Sequence, residues 1–339
     1  MSHRSYASGI RGSTGRAGTD RIQPSTGGHP RRRWWVTVAT GSRHRLRAFG
    51  LTLDSAFEIP ELPGSNGSGA PDVVISRRSI DRPDAVEDDR IVHRRSAEEL
   101  LLCYNAAMIS IRKGREIAVD PDLRVPNEVL RHLLIGPVFN HLLHQRGYFV
   151  LHASTVEVDG SAVAFVGESG AGKTTTAMAF LRAGHRVLSD DVAAIEPDGD
   201  RPHVRSGYPS IKLDPAIVER FDVPVERPQR TSPTRERHFY RLRHEQPDSP
   251  VPLERIYLLE DARIHGVVPV ESPERVLELV RNTYTIGLLE EASQAERNFD
   301  RATTLAESVP VRRLHRQRDL EKLSELVGVV EADLDEDGD

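Results

Sequence analysis

The segment Gly167-Glu168-Ser169-Gly170-Ala171-Gly172-Lys173-Thr174 constrains this chain more than any other. It fits the pattern G-x-x-x-x-G-K-[ST], in which each residue type has a physical task. Glycines let the backbone curl so that successive N–H groups face phosphate oxygens. The lysine reaches the β- and γ-phosphates, and the threonine hydroxyl can ligand Mg²⁺. The flanks agree. Ala162 to Val166 reads as a buried strand entering the loop, and Thr175 to Leu181 as a helix leaving it with its positive N-terminus toward the nucleotide. The expected ligands are ATP and Mg²⁺. The candidate nucleotide-binding residues are Gly167, Glu168, Ser169, Gly170, Ala171, Gly172, Lys173, Thr174 and Thr175.

The 339 residues leave room for one large domain or two modest ones. A hydrophobic content of 38% beside 29% charged residues describes a globular chain, and no apolar run approaches a membrane span. The net charge of −5 gives no electrostatic footprint for nucleic acid or an anionic membrane, so neither is expected as a partner. The expected location is cytoplasmic. A single cysteine, Cys103, excludes an internal disulfide framework and a Cys-rich zinc site. Lysine is scarce, which makes Lys173 stand out further. Residues 1–34 are dominated by Ser, Gly and Arg and read as a disordered leader. Arg31-Arg32-Arg33 is not followed by the apolar core of a secretory signal. Residues 331–339 read as a solvated acidic tail.

Between these ends the pattern divides. Residues 35–125 carry short alternating segments, among them Trp35–Val38, Phe49–Leu53, Asp72–Ser76, Leu100–Tyr104, Met108–Arg112 and Glu116–Val119. They read as a mostly β N-terminal region. Residues 126–147 read as a connecting helix opened by Asn127, closed by Gly147 and kinked at Pro137. His132, His141 and His144 lie along it. No carboxylate or cysteine joins them, so they are expected on its polar face rather than on a metal. Residues 148–330 form the nucleotide-binding part. Gly184 is a natural C-cap for the loop helix. His185 to Ser189 then forms a strand running into Asp190-Asp191, a position at which an acid can hold Mg²⁺ directly or through water. Further helices are expected over Pro273–Glu291 and Leu320–Val330. Arg235 and Arg237, in an Arg- and Pro-rich stretch, are candidates to reach the phosphates or the acceptor, with a solvated loop as the alternative.

These residues resemble the kinase domain of the HPr kinase/phosphorylase family and its broader HPr-kinase-like group, P-loop proteins related in fold to phosphoenolpyruvate carboxykinase. The resemblance covers residues 148–325. It is carried by His152 at a strand end, the loop Gly167 to Thr174, Ala183-Gly184-His185-Arg186-Val187, and Asp190-Asp191 in ungapped register with Lys173. It implies an α/β fold with a P-loop kinase core of the HPr kinase and phosphoenolpyruvate carboxykinase type, preceded by the mostly β region. It further implies that Lys173 and the loop backbone hold the β/γ-phosphates, and that Thr174 replaces a metal-binding serine. Asp190 would lie beside the metal, His152 near the γ-phosphate, and Asp191 would accept the proton of the hydroxyl being phosphorylated. The implied catalytic residues are thus Asp191, His152 and Lys173, and the metal residues Thr174 and Asp190.

The sequence departs from the bifunctional enzyme after the acid pair. His203-Val204-Arg205-Ser206-Gly207-Tyr208-Pro209 lacks the expected metal-binding Glu, which argues against phosphorylase activity and against HPr itself as substrate. Ala48-Phe49-Gly50-Leu51, Gly207-Tyr208-Pro209 and Arg281-Asn282-Thr283-Tyr284 look instead like the stand-alone kinases of the broader group, some of which phosphorylate lasso-peptide precursors. The reading is an ATP-dependent kinase acting on a serine-type hydroxyl of a protein or precursor peptide. A small-molecule kinase and a non-catalytic nucleotide-binding regulator stay open beside it. The acceptor and the oligomeric state, a homo-oligomer included, are open at this point.

Overall fold

The computed structural model describes residues 42–81, 92–96, 98–196, 201–226, 238–284 and 292–336. Seven short strands form the N-terminal sheet: β1 (His44–Ala48), β2 (Leu51–Ser55), β3 (Val73–Arg77), β4 (Val92–Ser96), β5 (Glu99–Tyr104), β6 (Ala107–Arg112) and β7 (Glu116–Pro121). Their order is β1-β2-β3-β7-β6-β5-β4. The pairs β2–β3 and β3–β7 are parallel and the rest antiparallel. Alternating Leu51 and Leu53, Val73 and Ile75, and Ile117 and Val119 all point into one core, as a half-buried sheet requires. The expected strand Phe49–Leu53 is shorter, because Phe49 (φ 52°) and Gly50 (φ 71°) make the turn between β1 and β2.

The segment Asn127–Gln145 is helical throughout, with Pro137 inside a π-helical turn. It runs as α1 (Asn127–Leu133), one π-helical turn over Leu134–Val138, and α2 (Phe139–Gln145). Proline has no N–H and crowds the carbonyl four residues back, and a widened turn accommodates both. His141 is buried inside the segment rather than on a polar face, and His144 is largely covered. Burial, reinforced for His141 by His144 and for His144 by Arg301, holds these imidazoles neutral, at about 3 and about 4.

The second sheet contains β8 (Phe149–Leu151), β9 (Ala153–Val158), β10 (Ser161–Val166), β11 (Arg186–Ser189), β12 (Ala193–Glu196), β13 (His203–Arg205), β16 (Val251–Asp261), β17 (Gly266–Pro269) and β18 (Val311–Arg316). A separate pair joins β14 (Ser210–Leu213) to β15 (His238–Arg241). The nucleus is parallel, with β10, β16 and β18 side by side. Helix α3 (Lys173–Ala183) follows β10 and buries Ala177, Met178, Phe180 and Leu181 on the sheet; Gly184 ends it at φ 101°. Helix α4 (Pro215–Arg220) is capped by Asp214. Helix α5 (Glu274–Arg281) stops before Asn282, earlier than the expected helix, because Tyr284 N–H donates to Val150 O and His152 N–H to Asn282 O, laying this segment along β8. Residues 285–291 lie outside the described residues, as do Arg235, Arg237, Trp35–Val38 and the leader 1–34. Helix α6 (Ala292–Ser308) was not among the expected elements. Among the described residues no helix is long and apolar enough to cross a membrane.

The last helix, α7, spans Leu323–Asp335, so chain expected to be a solvated tail from Glu331 is structured to that point. The reason is a buried charge cluster. Asp333 accepts from Arg255 Nη1 at 2.7 Å, and from Arg312 and the Tyr257 hydroxyl, while Arg255 is fully buried. Asp333→Ala should therefore destabilise the fold by about 3–5 kcal/mol, because it strands a buried guanidinium. Asp335→Ala, exposed on the same helix, should change stability by less than about 0.5 kcal/mol. Urea unfolding of both variants checks this, and equal, small effects would contradict it.

Candidate active site

The site is assembled at the C-terminal end of β10. Gly172, at φ 94°, lets the chain turn from the loop into α3, and its carbonyl accepts the Thr176 N–H at 2.9 Å. The free N–H groups of the first helical turn therefore open onto a cavity of about 360 Å³. Lys173 is 7% exposed and its ammonium donates to Gly167 O at 2.7 Å and Glu168 O at 3.1 Å, so the loop's own carbonyls hold it. Burial lowers its pKa from the ordinary value, against the pull of Asp191 and Asp190.

Asp190 leaves the end of β11 pointing inward. Its Oδ1 accepts from Ser154 Oγ at 2.7 Å and Thr174 Oγ1 at 2.9 Å, and its Oδ2 from Lys212 N–H at 3.2 Å. Burial raises its pKa, as does the neighbouring Asp191, while these hydrogen bonds oppose the rise. Asp191 diverges from it because its backbone is left-handed, φ 76°, a conformation that costs an L-residue about 1–3 kcal/mol. The turn sends its carboxylate to the open side of the cavity, half exposed, 3.1 Å from His152 Nδ1. Burial acts to raise Asp191, but the His152 hydrogen bond and the charges of His152, Lys212 and Lys173 outweigh it and lower its pKa. Two adjacent carboxylates are thus driven in opposite directions.

His152 occupies the step between β8, which pairs with β12, and β9, which pairs with β10 and β11. Its ring meets Tyr284 edge-on at 5.1 Å. A second, more open recess shares His152 and Ser169 with the first and is lined by Arg281 to Tyr284. The structure therefore brings together Gly172, Lys173, Thr174, Thr175, Asp190, Asp191 and His152, with Ser169 and Gly170, around one cavity; Gly167 and Glu168 border the second recess, and Ala171 lies within the same loop.

Several cavity residues escaped sequence reasoning, among them Ser154, Lys212 and Arg316. Ser154 and Arg316 gave no local signal. Lys212 did: the chain has only four lysines, Lys113, Lys173, Lys212 and Lys322, and two of them line this cavity. Lys212 also lies over the Phe239 ring, 5.7 Å from its centroid.

The residues present fit a hard divalent cation. The Thr174 hydroxyl and Asp190 carboxylate oxygens are 2.9 Å apart, about the separation of adjacent ligands around an octahedral Mg²⁺ with bonds of about 2.0–2.1 Å. Among the described residues no group of three or more His, Cys, Asp and Glu is arranged to hold a metal ion by itself.

A carboxylate titration by ¹³C NMR should find Asp191 below and Asp190 above the ordinary value of 3.8. His152→Ala should move Asp191 upward, since it deletes the hydrogen bond and charge that lower it. The folded pKa of Asp191 is depressed, so its stability contribution is present above the ordinary value and is lost as pH falls through the depressed one. Coincident titration of the two carboxylates would contradict this description.

No family model matches the chain. Curated relatives do, over part of its length. The HPr kinase/phosphorylase of Prosthecochloris aestuarii is 37% identical over 135 residues, 36% of this chain and 38% of its own. That of Chlorobium phaeobacteroides is 38% identical over 60 residues, 18% of each. One from Clostridium botulinum is 44% identical over 50 residues, 14% of this chain and 16% of its own. The matches thus span well under half the length of these relatives. The solved Hpr(Ser) kinase/phosphatase of Coxiella burnetii aligns over 54% of this chain and 94% of its own, with 11% identity and a TM-score of 0.27, too low to carry any argument about fold. Over the minority of its length that these relatives share, the chain is similar in sequence to HPr kinase/phosphorylases.

Proposed function

We propose that this protein is an ATP-dependent kinase that transfers the γ-phosphoryl group to a serine-type hydroxyl of a protein or peptide. The observation that carries the reading is the divergence of Asp190 and Asp191 at one end of the loop helix. One carboxylate is buried against the Thr174 hydroxyl, and the other is half exposed and held ionised beside His152. A protein that only bound nucleotide would need the first and not the second. The names of the similar relatives, which specify a protein substrate, support a protein or peptide acceptor. A precursor peptide in ribosomal peptide maturation is the finer form of the same proposal.

The chemistry follows from the side chains. The loop N–H groups and Lys173 bind the polyphosphate, Lys173 exchanging loop carbonyls for phosphate oxygens. Thr174 and Asp190 are the residues to hold Mg²⁺, which when bound supplies charge neutralisation at the β/γ-phosphates. Asp191 takes the hydroxyl proton as the acceptor oxygen forms its bond to the γ-phosphorus, and the bond from that phosphorus to the bridging oxygen breaks to release ADP. His152 aligns the Asp191 carboxylate and faces the transferring group. Alignment and charge neutralisation contribute most of the acceleration, and the general base adds to it.

Two substitutions test this with γ-labelled ATP, serine-containing acceptor peptides and parallel nucleotide binding. Lys173→Ala should weaken nucleotide binding and abolish labelling. Asp191→Asn, nearly isosteric, should bind Mg·ADP much as the wild type does while transfer falls by about 10²–10⁴-fold. Undiminished labelling by Asp191→Asn would remove Asp191 from the chemistry. A wild type that binds ATP and labels no hydroxyl acceptor would favour a nucleotide-binding regulator.

A further inference from the structure

Arg316 ends β18 and lies against the loop at Gly172, the N-cap of α3. A Cβ built on Gly172 would fall 2.6 Å from its Cζ and 2.9 Å from Nη1, so the guanidinium fills the space that a side chain at Gly172 would need. Arg316 is only 5% exposed, yet its Nε has no hydrogen-bond partner among the described residues. The nearest ion pair is loose: Asp261 Oδ1 is 3.4 Å from Nη2, and Asp261 is half exposed and bonded to Arg318 Nε at 2.6 Å. Arg255, also buried, has a buried carboxylate at 2.7 Å instead. A cation buried with so weak a partner costs stability unless something else completes it. Arg316 lines the same cavity as Lys173, Thr174 and Asp190, beside the N-terminus of α3.

We propose that Arg316 is a second cation for the nucleotide, holding its α- and β-phosphates across Gly172 from the side opposite Lys173. The inference rests on the nucleotide-binding reading above and deepens it. Lys173 and Thr174 serve the β/γ end. The phosphates lying over Gly172 are then those shared by ADP and ATP, and a planar guanidinium suits bidentate contact with them. Gly172 is required twice, for its left-handed backbone and to leave room for Arg316. Arg316 is on this account a binding residue that touches no reacting atom.

Calorimetric titration of the full-length wild type, Arg316→Gln and Arg316→Lys with Mg·ADP, Mg·ATP and inorganic pyrophosphate, alongside thermal melts, tests the proposal. Arg316→Gln should weaken ADP and ATP by the same factor, about 10- to 100-fold. Its kcat at saturating ATP should change far less than its KM. Arg316→Lys should recover part of the loss, because it keeps the charge and loses the fork. Unchanged ADP and ATP affinity in a folded Arg316→Gln overturns the proposal, and a loss confined to ATP overturns the α/β assignment. Should Arg316→Gln not fold, Arg316→Lys carries the test, and wild-type affinity for ADP in that variant overturns the role. A wild type that binds neither nucleotide nor pyrophosphate overturns the nucleotide reading itself.

Discussion

The carboxylate of Asp190 is the contact on which the site depends. It takes hydroxyl hydrogen bonds from Thr174 at the start of the loop helix and from Ser154 on β9, and a backbone N–H from Lys212 on β14. Three elements distant in sequence are thereby fixed around one buried charge. Burying that charge is expensive, and the three donors offset only part of the cost, which is why its pKa stays raised. Such a group is poised to gain from a cation. The left-handed turn at Asp191 completes the arrangement by sending the next carboxylate the other way.

The N-terminal sheet is part of the same construction. Its core contains Phe49, Leu51 and Leu53 together with Val150, Val192, Ala194 and Tyr208, which flank His152, Asp191 and the strand to Lys212. Phe49 meets Tyr208 edge-on at 6.4 Å, and a Cβ on Gly207 would lie 3.3 Å from the Phe49 ring and 3.0 Å from the Ser189 Cβ. The turn between β1 and β2 thus backs the segment that delivers Lys212 to Asp190. Close packing of this kind transmits small displacements, so the β region helps to position the residues of the cavity.

The loop was legible because its pattern encodes backbone conformation directly: Gly172 and Gly184 stand where left-handed turns bound α3. Asp190 and Asp191 were legible as a pair at a strand end, but not their opposite environments, since a positive φ at an aspartate leaves no mark in the sequence. Ser154 and Arg316 could not be found locally, because each reaches the site through strand neighbours far along the chain. The burial of His141 and of Asp333 was misread for a related reason. A polar residue reads as exposed until tertiary structure supplies a buried environment, and Arg255, 78 residues before Asp333, is its partner. Helix α6 was missed because it is polar on average, although Ala295, Phe299, Ala302, Leu305 and Ala306 recur along it at helical spacing.

The central claim is that adjacent aspartates do different work, one for the metal and one for the acceptor. The most direct measurement is Mn²⁺ affinity in the presence of saturating ADP, read by electron paramagnetic resonance for wild type, Asp190→Asn and Asp191→Asn. Asp190→Asn should lose affinity by about tenfold or more, as expected on removing a charged ligand, while Asp191→Asn stays near wild type. Equal losses in both variants, or none in Asp190→Asn, would contradict the division of labour.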